Sequence, residues 1–264
     1  MEWWEAIVLG LVQGLTEFLP VSSSGHLMIV RELLGVDSSN FLDFTVAVHF
    51  ATVLSTIVVF WGAIWKILKG VFKFKYNDET DYFLKLCVSM IPVAVVGFFF
   101  KDKVEALFGE TLTVVGVCLL VTAALLMLAT LYSPKHPRYH RNGISYLQAF
   151  IVGLGQACAV APGLSRSGTT ITTGLLSGVK KDSMAQFSFL MVLVPIIGEQ
   201  ILSIPDMVGG GASAGILPLL LGALAAFVSG LFACKVMIGI VRRARFSWFA
   251  LYCAVVGILV LVLG

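Results

Sequence analysis

The chain has 264 residues, of which 58% are hydrophobic and only 12% charged, and its mean hydropathy is +0.97. A soluble domain carries about 25% charged residues, so this composition excludes one and describes a polytopic membrane protein without a polar passenger domain. The net charge of +3 is too modest to suggest nucleic acid, and the placing of the charges says more than their sum.

In chain order, Met-Glu-Trp-Trp-Glu at the N-terminus lacks the positive n-region and small-residue cleavage site of a signal peptide. Two short apolar pieces follow, 3–19 and 25–35, joined by a Pro/Ser/Gly run that cannot continue a helix. Runs near 20 apolar residues cross the roughly 30 Å hydrocarbon core as helices, and the first is 41–62. A loop with Lys66, Lys69, Lys73, Lys75 and Lys85 leads to a shorter run at 85–100 and then to 111–132. After Lys135, Arg138 and Arg141 comes a second broken pair, 145–160 and 168–178, around a Pro-Gly break. Spans at 184–204, 216–234 and 247–263 complete the chain, with Lys235, Arg242, Arg243 and Arg245 around the last loop. The five cysteines lie in apolar stretches with no CxxC spacing and read as small buried hydrophobes.

Loop backbone at membrane depth is tolerated only where protein or a water-filled cavity surrounds it. Both broken pairs therefore read as re-entrant helix–loop–helix hairpins. Basic residues gather on the cytoplasmic side. With Lys180 and Lys181, most of the 18 cations fall on that side if each hairpin enters and leaves on one face. Loops 101–110 and 205–215 are then external, the first hairpin dips in from outside, and the second rises from the cytoplasm. Each half, residues 1–132 and 145–264, is one hairpin plus three spans, and an odd number of spans inverts the second half relative to the first. The expected fold is a single all-α polytopic membrane domain built as an inverted-topology repeat, with six spanning helices and two re-entrant hairpins. Gly10, Leu11, Gln13, Ser22, Ser24 and Gly25 recur at one constant offset as Gly153, Leu154, Gln156, Ser165, Ser167 and Gly168, which points to a real internal repeat.

The polar residues of the hairpins carry the chemistry. Gln13 and Glu17 stand one helical turn apart and share a face. Pro20 ends that helix, and Ser22, Ser23 and Ser24 fill the turn, whose following half-helix offers free N–H groups as an anion seat. His26 lies one turn on, within reach of the serines. The second hairpin brings Arg166, a planar donor fork suited to phosphate, flanked by Ser165, Ser167, Thr169 and Thr170, with Gly163 and Gly168 permitting close approach. An arginine costs roughly 3 kcal/mol at mid-membrane on insertion scales, so it marks a functional site by default. Taken singly, Glu17 is readable as a buried pair, the serines as a cap and Arg166 as the neutraliser of Glu17; so dense a polar set inside an apolar chain argues against all three. His49, alone in its helix, reads as a structural residue, and Gly10-x-x-x-Gly14 as a helix contact.

The Gln13-x-x-x-Glu17 pair, the Pro-Val-Ser-Ser-Ser-Gly-His run at 20–26 and the Pro-Gly-Leu-Ser-Arg-Ser-Gly run at 162–168 resemble the undecaprenyl-diphosphate phosphatases of the bacitracin-resistance family, over the whole length of the chain. The resemblance implies removal of one phosphate from undecaprenyl diphosphate, to give the monophosphate carrier of bacterial cell-wall synthesis. It implies a divalent cation, Mg²⁺ first and Ca²⁺ as the alternative, at the external or periplasmic side of the bacterial plasma (inner) membrane. It also matches Glu17, Ser22, Ser23, His26 and Arg166 to the family's motif positions. Many members have a glutamate where this chain has Gln13, which leaves Glu17 as the one carboxylate for a metal. The expected partners are the polyprenyl diphosphate substrate and the bilayer, with a homodimer as the candidate assembly.

Arg166 and the cation would neutralise charge accumulating on the phosphate oxygens. His26, three residues from Ser23, is the expected base. Attack by Ser23, by His26 or by a water it activates all remain open. Gln13, Ser22, Ser24, Ser165, Ser167, Gly168 and Thr169 are the expected substrate contacts. The rival from another class is a lipid-carrier flippase or ion-coupled transporter, because inverted repeats with broken helices are a transporter architecture.

Overall fold

The structure is a computed structural model and describes residues 1–100, 103, 111–134, 140–161, 163–210, 215–243 and 246–264. Pro162, Lys135, Arg138, Arg245 and most of the expected external loop 101–110 lie outside the described residues. Every regular element described is helical, with no strand among the described residues.

Local chemistry sets the helix ends. Helix α1 (Trp3–Phe18) stops two residues before Pro20, because the residue preceding a proline is pushed out of the helical region. Helix α2 (Ser23–Leu34) starts where Ser22 Oγ accepts the Gly25 N–H at 3.2 Å and ends on Gly35 at φ 68°, a left-handed cap. Helix α3 (Ser38–Val59) is followed directly by α4 (Trp61–Val71). Helix α5 (Asp78–Phe99) is capped by Asn77, and α6 spans Leu112–Tyr132. In the second half come α7 (Tyr146–Cys158), with a Ser145/Gln148 capping box, and α8 (Arg166–Leu176), capped by Ser165. Three long helices finish the chain: α9 (Lys181–Gly210), α10 (Ile216–Arg243) and α11 (Ser247–Leu263).

Among the described residues four helical stretches are long and apolar enough to cross a membrane: Asp78–Phe99, Leu112–Tyr132, Lys181–Gly198 and Ile216–Val241. The α3–α4 pair makes a fifth candidate, bent by 75° at its break. Helix α11, at 17 residues, sits at the lower limit of span length. Three sequence expectations change. Residues 63–71, which follow the expected span 41–62 and read as the start of a lysine-rich loop, belong to helix α4, because their apolar and lysine positions fall on separate helical faces. Residues 205–210, read as external loop, continue α9. Lys85, read as a loop cation, lies buried inside α5, where its Nζ donates to Asp81 Oδ2 at 2.6 Å and to the Arg141 carbonyl at 2.8 Å. Asp81 also accepts from Tyr76, Tyr146 and Asn142, so the charge is compensated where it is buried.

Helix α1 runs along α10, and α7 runs along α5, while α6 and α11 pack on each other. The expected small-residue contacts are what allow this. A Cβ on Gly10 would lie 2.2 Å from the Gly222 carbonyl oxygen, and one on Gly153 would lie 2.2 Å from the Ser89 carbonyl oxygen. The repeated glycines thus make the same kind of contact in the two halves. A backbone oxygen cannot swing aside, so Gly153→Ala is expected to destabilise by about 1–3 kcal/mol, the usual cost of overpacking. Gly62→Ala, at a site with nothing within 4 Å, should be neutral. Thermal midpoints of the two variants in detergent check this, and equal midpoints would contradict the α5–α7 contact.

Candidate active site

The two hairpin turns touch. The Gly163 N–H donates to Ser24 Oγ at 3.3 Å, and Ser167 Oγ donates to the Leu19 carbonyl at 3.1 Å. Each turn therefore receives a serine from the other, and the serines are repeat partners. Gly163 is at φ 86°, and a Cβ there would stand 3.0 Å from Val115 Cα, so the turn needs glycine on both counts. Ser165 N–H donates to Thr122 Oγ1 at 3.2 Å, which ties this turn to α6.

The same offset that pairs the caps Ser22 and Ser165 pairs Ser23 with Arg166. Both are the first residue of their half-helix, so the positive ends of α2 and α8 and these two side chains converge on one place. Glu17 completes it from the last turn of α1. Ser23 donates its hydroxyl to Glu17 Oε2 at 2.5 Å, and Gln13 Nε2 donates to the same oxygen at 2.9 Å. His49 Nε2, from α3, stands 3.8 Å from that oxygen. Glu17 and Arg166 line one cavity of about 30 Å³, room for about one water. Thr52, Thr56, Ser167 and Ser188 share its wall, and the rest is apolar, with Phe18, Phe189 and Leu193. Among the described residues no hydrogen bond engages the Arg166 guanidinium, so its donor fork is unspent. The Glu17 carboxylate, in contrast, already has three polar neighbours besides.

His26 is not placed as expected. Its Nδ1 faces the Ser22 carbonyl at 2.7 Å and its Nε2 the Tyr252 hydroxyl at 2.8 Å. A carbonyl only accepts, so Nδ1 carries the hydrogen and donates it to Ser22, and the Nε2 lone pair accepts a hydrogen bond from the Tyr252 hydroxyl. The ring stacks on Tyr252 at 5.6 Å. The group that receives the Ser23 hydroxyl is Glu17, not His26.

The structure thus brings Gln13, Glu17, Ser23, Arg166 and Ser167 together. Ser22 and Ser165 spend their hydroxyls on their own helix caps, and Thr169 Oγ1 donates back to the Ser165 carbonyl at 2.7 Å. Gly168 faces Pro20 Cβ, which a Cβ there would approach to 3.3 Å. These four build the turns rather than face the cavity. Ser24, in the first turn of α2 as expected, also bridges the two turns by accepting from Gly163. Sequence reasoning missed His49 and Tyr252. The stripe Thr45, His49, Thr52, Thr56 on one face of α3 is the signal that marks His49, since a lipid-facing helix has no use for it. Nothing local marks Tyr252.

Among the described residues no group of three His, Cys, Asp or Glu side chains is placed to hold a metal ion. The hard-oxygen donors present are the Glu17 carboxylate, the Ser23 hydroxyl and Gln13 Oε1, which is buried without a hydrogen-bond partner. That set fits a hard cation that completes its shell with water and phosphate oxygens.

Comparison with known proteins finds relatives along nearly the whole chain. The family model described as "Bacitracin resistance protein BacA" matches residues 6–259. An undecaprenyl-diphosphatase of Bacteroides fragilis is 53% identical over 267 residues, covering 100% of this chain and 99% of that protein. One from Parabacteroides distasonis is 54% identical over 261 residues, with 98% and 97% covered. A more distant one, from Oceanobacillus iheyensis, is 38% identical over 97% of this chain and 94% of its own length.

Proposed function

We infer the activity from the premise that the chain belongs to the bacitracin resistance protein BacA family: it is a membrane phosphatase that hydrolyses undecaprenyl diphosphate to undecaprenyl phosphate and inorganic phosphate. Its product is the lipid carrier for bacterial cell-wall synthesis, and its supply confers bacitracin resistance. The observation that carries the reading to residues is the Ser23 hydroxyl bonded at 2.5 Å to Glu17, whose cavity an unspent Arg166 also lines.

Phosphoryl transfer needs positioning and charge stabilisation more than covalent machinery. In the reading these contacts support, Ser23 Oγ attacks the terminal phosphorus as its proton passes to Glu17. The bond to the bridging oxygen breaks, and undecaprenyl phosphate leaves. Water then attacks the phosphoserine, the Ser23 oxygen regains a proton, and phosphate departs. Arg166 and the α2 and α8 N-termini bind the phosphate oxygens throughout. His26, held by Tyr252 and Ser22, positions the α2 turn. Mg²⁺ or Ca²⁺ would be held by Glu17 and Gln13 Oε1, and would supply further neutralisation of the diphosphate.

Residues 1–132 and 145–264 form an inverted repeat of six spans and two re-entrant hairpins in the bacterial plasma membrane, with the site toward the external face. The exchange of partners between halves, α1 with α10 and α7 with α5, supports the repeat. The distribution of cations supports the orientation. Purified full-length protein in detergent, with no second compartment, is expected to release phosphate from undecaprenyl diphosphate and to lose turnover in chelator. Lipid movement across vesicles by protein that releases no phosphate would favour the flippase or transporter reading instead. Full turnover in chelator would remove the cation and leave Glu17 as base alone.

A further inference from the structure

Helix α4 leaves α3 at 75°. If α3 stands near the membrane normal, α4 lies close to the membrane plane, and its side chains fit that position. Three faces can be read on it. Ala63, Ile64 and Ile67 pack against the protein core, and Gly70 is buried against Glu79. Trp61, Trp65, Leu68 and Phe72, spaced for one helical stripe, are exposed by 56%, 48%, 37% and 68%. About a quarter-turn round the helix from them, Lys66, Lys69 and Lys73 form a second exposed stripe, which Lys75 extends. Trp61 and Trp65 stack at 6.0 Å, and Lys69 Nζ stands 5.2 Å from the Trp65 ring.

The nearby carboxylates are committed elsewhere. Glu79 is 3.7 Å from Lys66, Asp78 is 2.7 Å from Arg141, and Asp81 is 2.6 Å from Lys85. Among the described residues no carboxylate lies within ion-pair distance of Lys69, Lys73 or Lys75. An exposed aromatic stripe beside a lysine stripe of which, among the described residues, Lys66 alone has a carboxylate partner, on a helix turned out of the bundle, has the composition of an interfacial amphipathic segment. Tryptophan favours the headgroup level, and juxtamembrane lysines attract anionic headgroups.

We propose that α4 and the following Phe72–Lys75 turn form an interfacial anchor that seats Trp61 and Trp65 at the headgroup boundary and gathers anionic phospholipid around Lys69, Lys73 and Lys75. The occupant is the anionic lipid surface of the membrane that holds the protein. The anchor is distinct from the phosphatase site and does not depend on that assignment.

Full-length protein is reconstituted into phosphatidylcholine vesicles holding equal mole fractions of either tail-brominated phosphatidylcholine or tail-brominated phosphatidylglycerol. The signal of Trp61 and Trp65 is the difference from a Trp61→Phe, Trp65→Phe variant. It is expected to be quenched at least ~2-fold more strongly by the anionic lipid. That preference should disappear in Lys69→Gln, Lys73→Gln, Lys75→Gln protein, and in wild type at high salt, which screens exposed charge. The high-salt arm stands even if the triple variant fails to fold. Equal quenching by the two lipids in wild type, a preference that survives both the substitutions and salt, or no quenching by either lipid would each overturn the proposal.

Discussion

Arg166→Ala is expected to abolish phosphate release from protein that still folds, with a loss of about 10³-fold or more, the range seen when an arginine that stabilises transferring phosphoryl charge is removed. The expectation rests on two facts. Arg166 lines the same cavity as Glu17, and no hydrogen bond among the described residues engages its guanidinium, so its donors are available to a ligand. Arg166→Lys should keep the charge and lose most of the activity, because an ammonium cannot reproduce a two-pronged contact to phosphate. A purely structural arginine predicts the opposite pattern, with Lys close to wild type and Ala lowering the thermal midpoint. Phosphate release and thermal unfolding, measured on the same preparations, separate the two. Near wild-type turnover in a folded Arg166→Ala protein sinks the assignment.

Ser23→Ala is expected to lose at least about two orders of magnitude in turnover, since displacing a reacting group by about 1 Å can already cost a hundredfold. Its neighbours supply the controls. Ser24→Ala removes the acceptor of the Gly163 N–H and should cost about 1 kcal/mol of stability, with turnover within a few-fold of wild type. Because Ser23 and Glu17 share one 2.5 Å hydrogen bond, they should behave as a unit. Glu17→Gln should be about as damaging as Ser23→Ala, and the double variant should lose little more than either alone. Additive losses would dissolve the pair. An active Ser23→Ala protein beside a dead His26→Ala one would return the attack to histidine or water.

The contrast between Ser23 and His26 shows where local reasoning stopped. Three residues separate them in the chain, and that spacing puts them within reach on a helix. Yet Ser23 is the first residue of α2 and turns back to α1, whereas His26 lies a turn further along, toward α11. Tyr252, its partner, is 226 residues away. His49 looked structural because α3 is apolar on most faces and a lone histidine there has no neighbour in sequence to explain it. The neighbour is Glu17, across a helix contact. Lys85 read as a loop cation because charge marks helix ends. It is buried because Asp81, Tyr146 and the Arg141 carbonyl close around it.

By itself the sequence determined the membrane class, the two breaks between short helices, the residues of the turns and the constant offset at which several of them recur. Each of these follows from quantities that act along the chain: hydropathy over a span length, a proline that cannot continue a helix, serine and glycine at its restart. The family follows from the same turn motifs. Only the tertiary structure decided which side chains meet, that Ser23 bonds Glu17 beside the cavity Arg166 lines while His26 faces Tyr252, and that the chain bends after Val59 to lay α4 aside. The physical reason is that helices in hydrocarbon are apolar toward lipid and protein alike. Their rotation and partners are therefore set by close backbone contacts, such as Gly10 on Gly222 and Gly153 on Ser89, which leave no periodic hydrophobic signature to read.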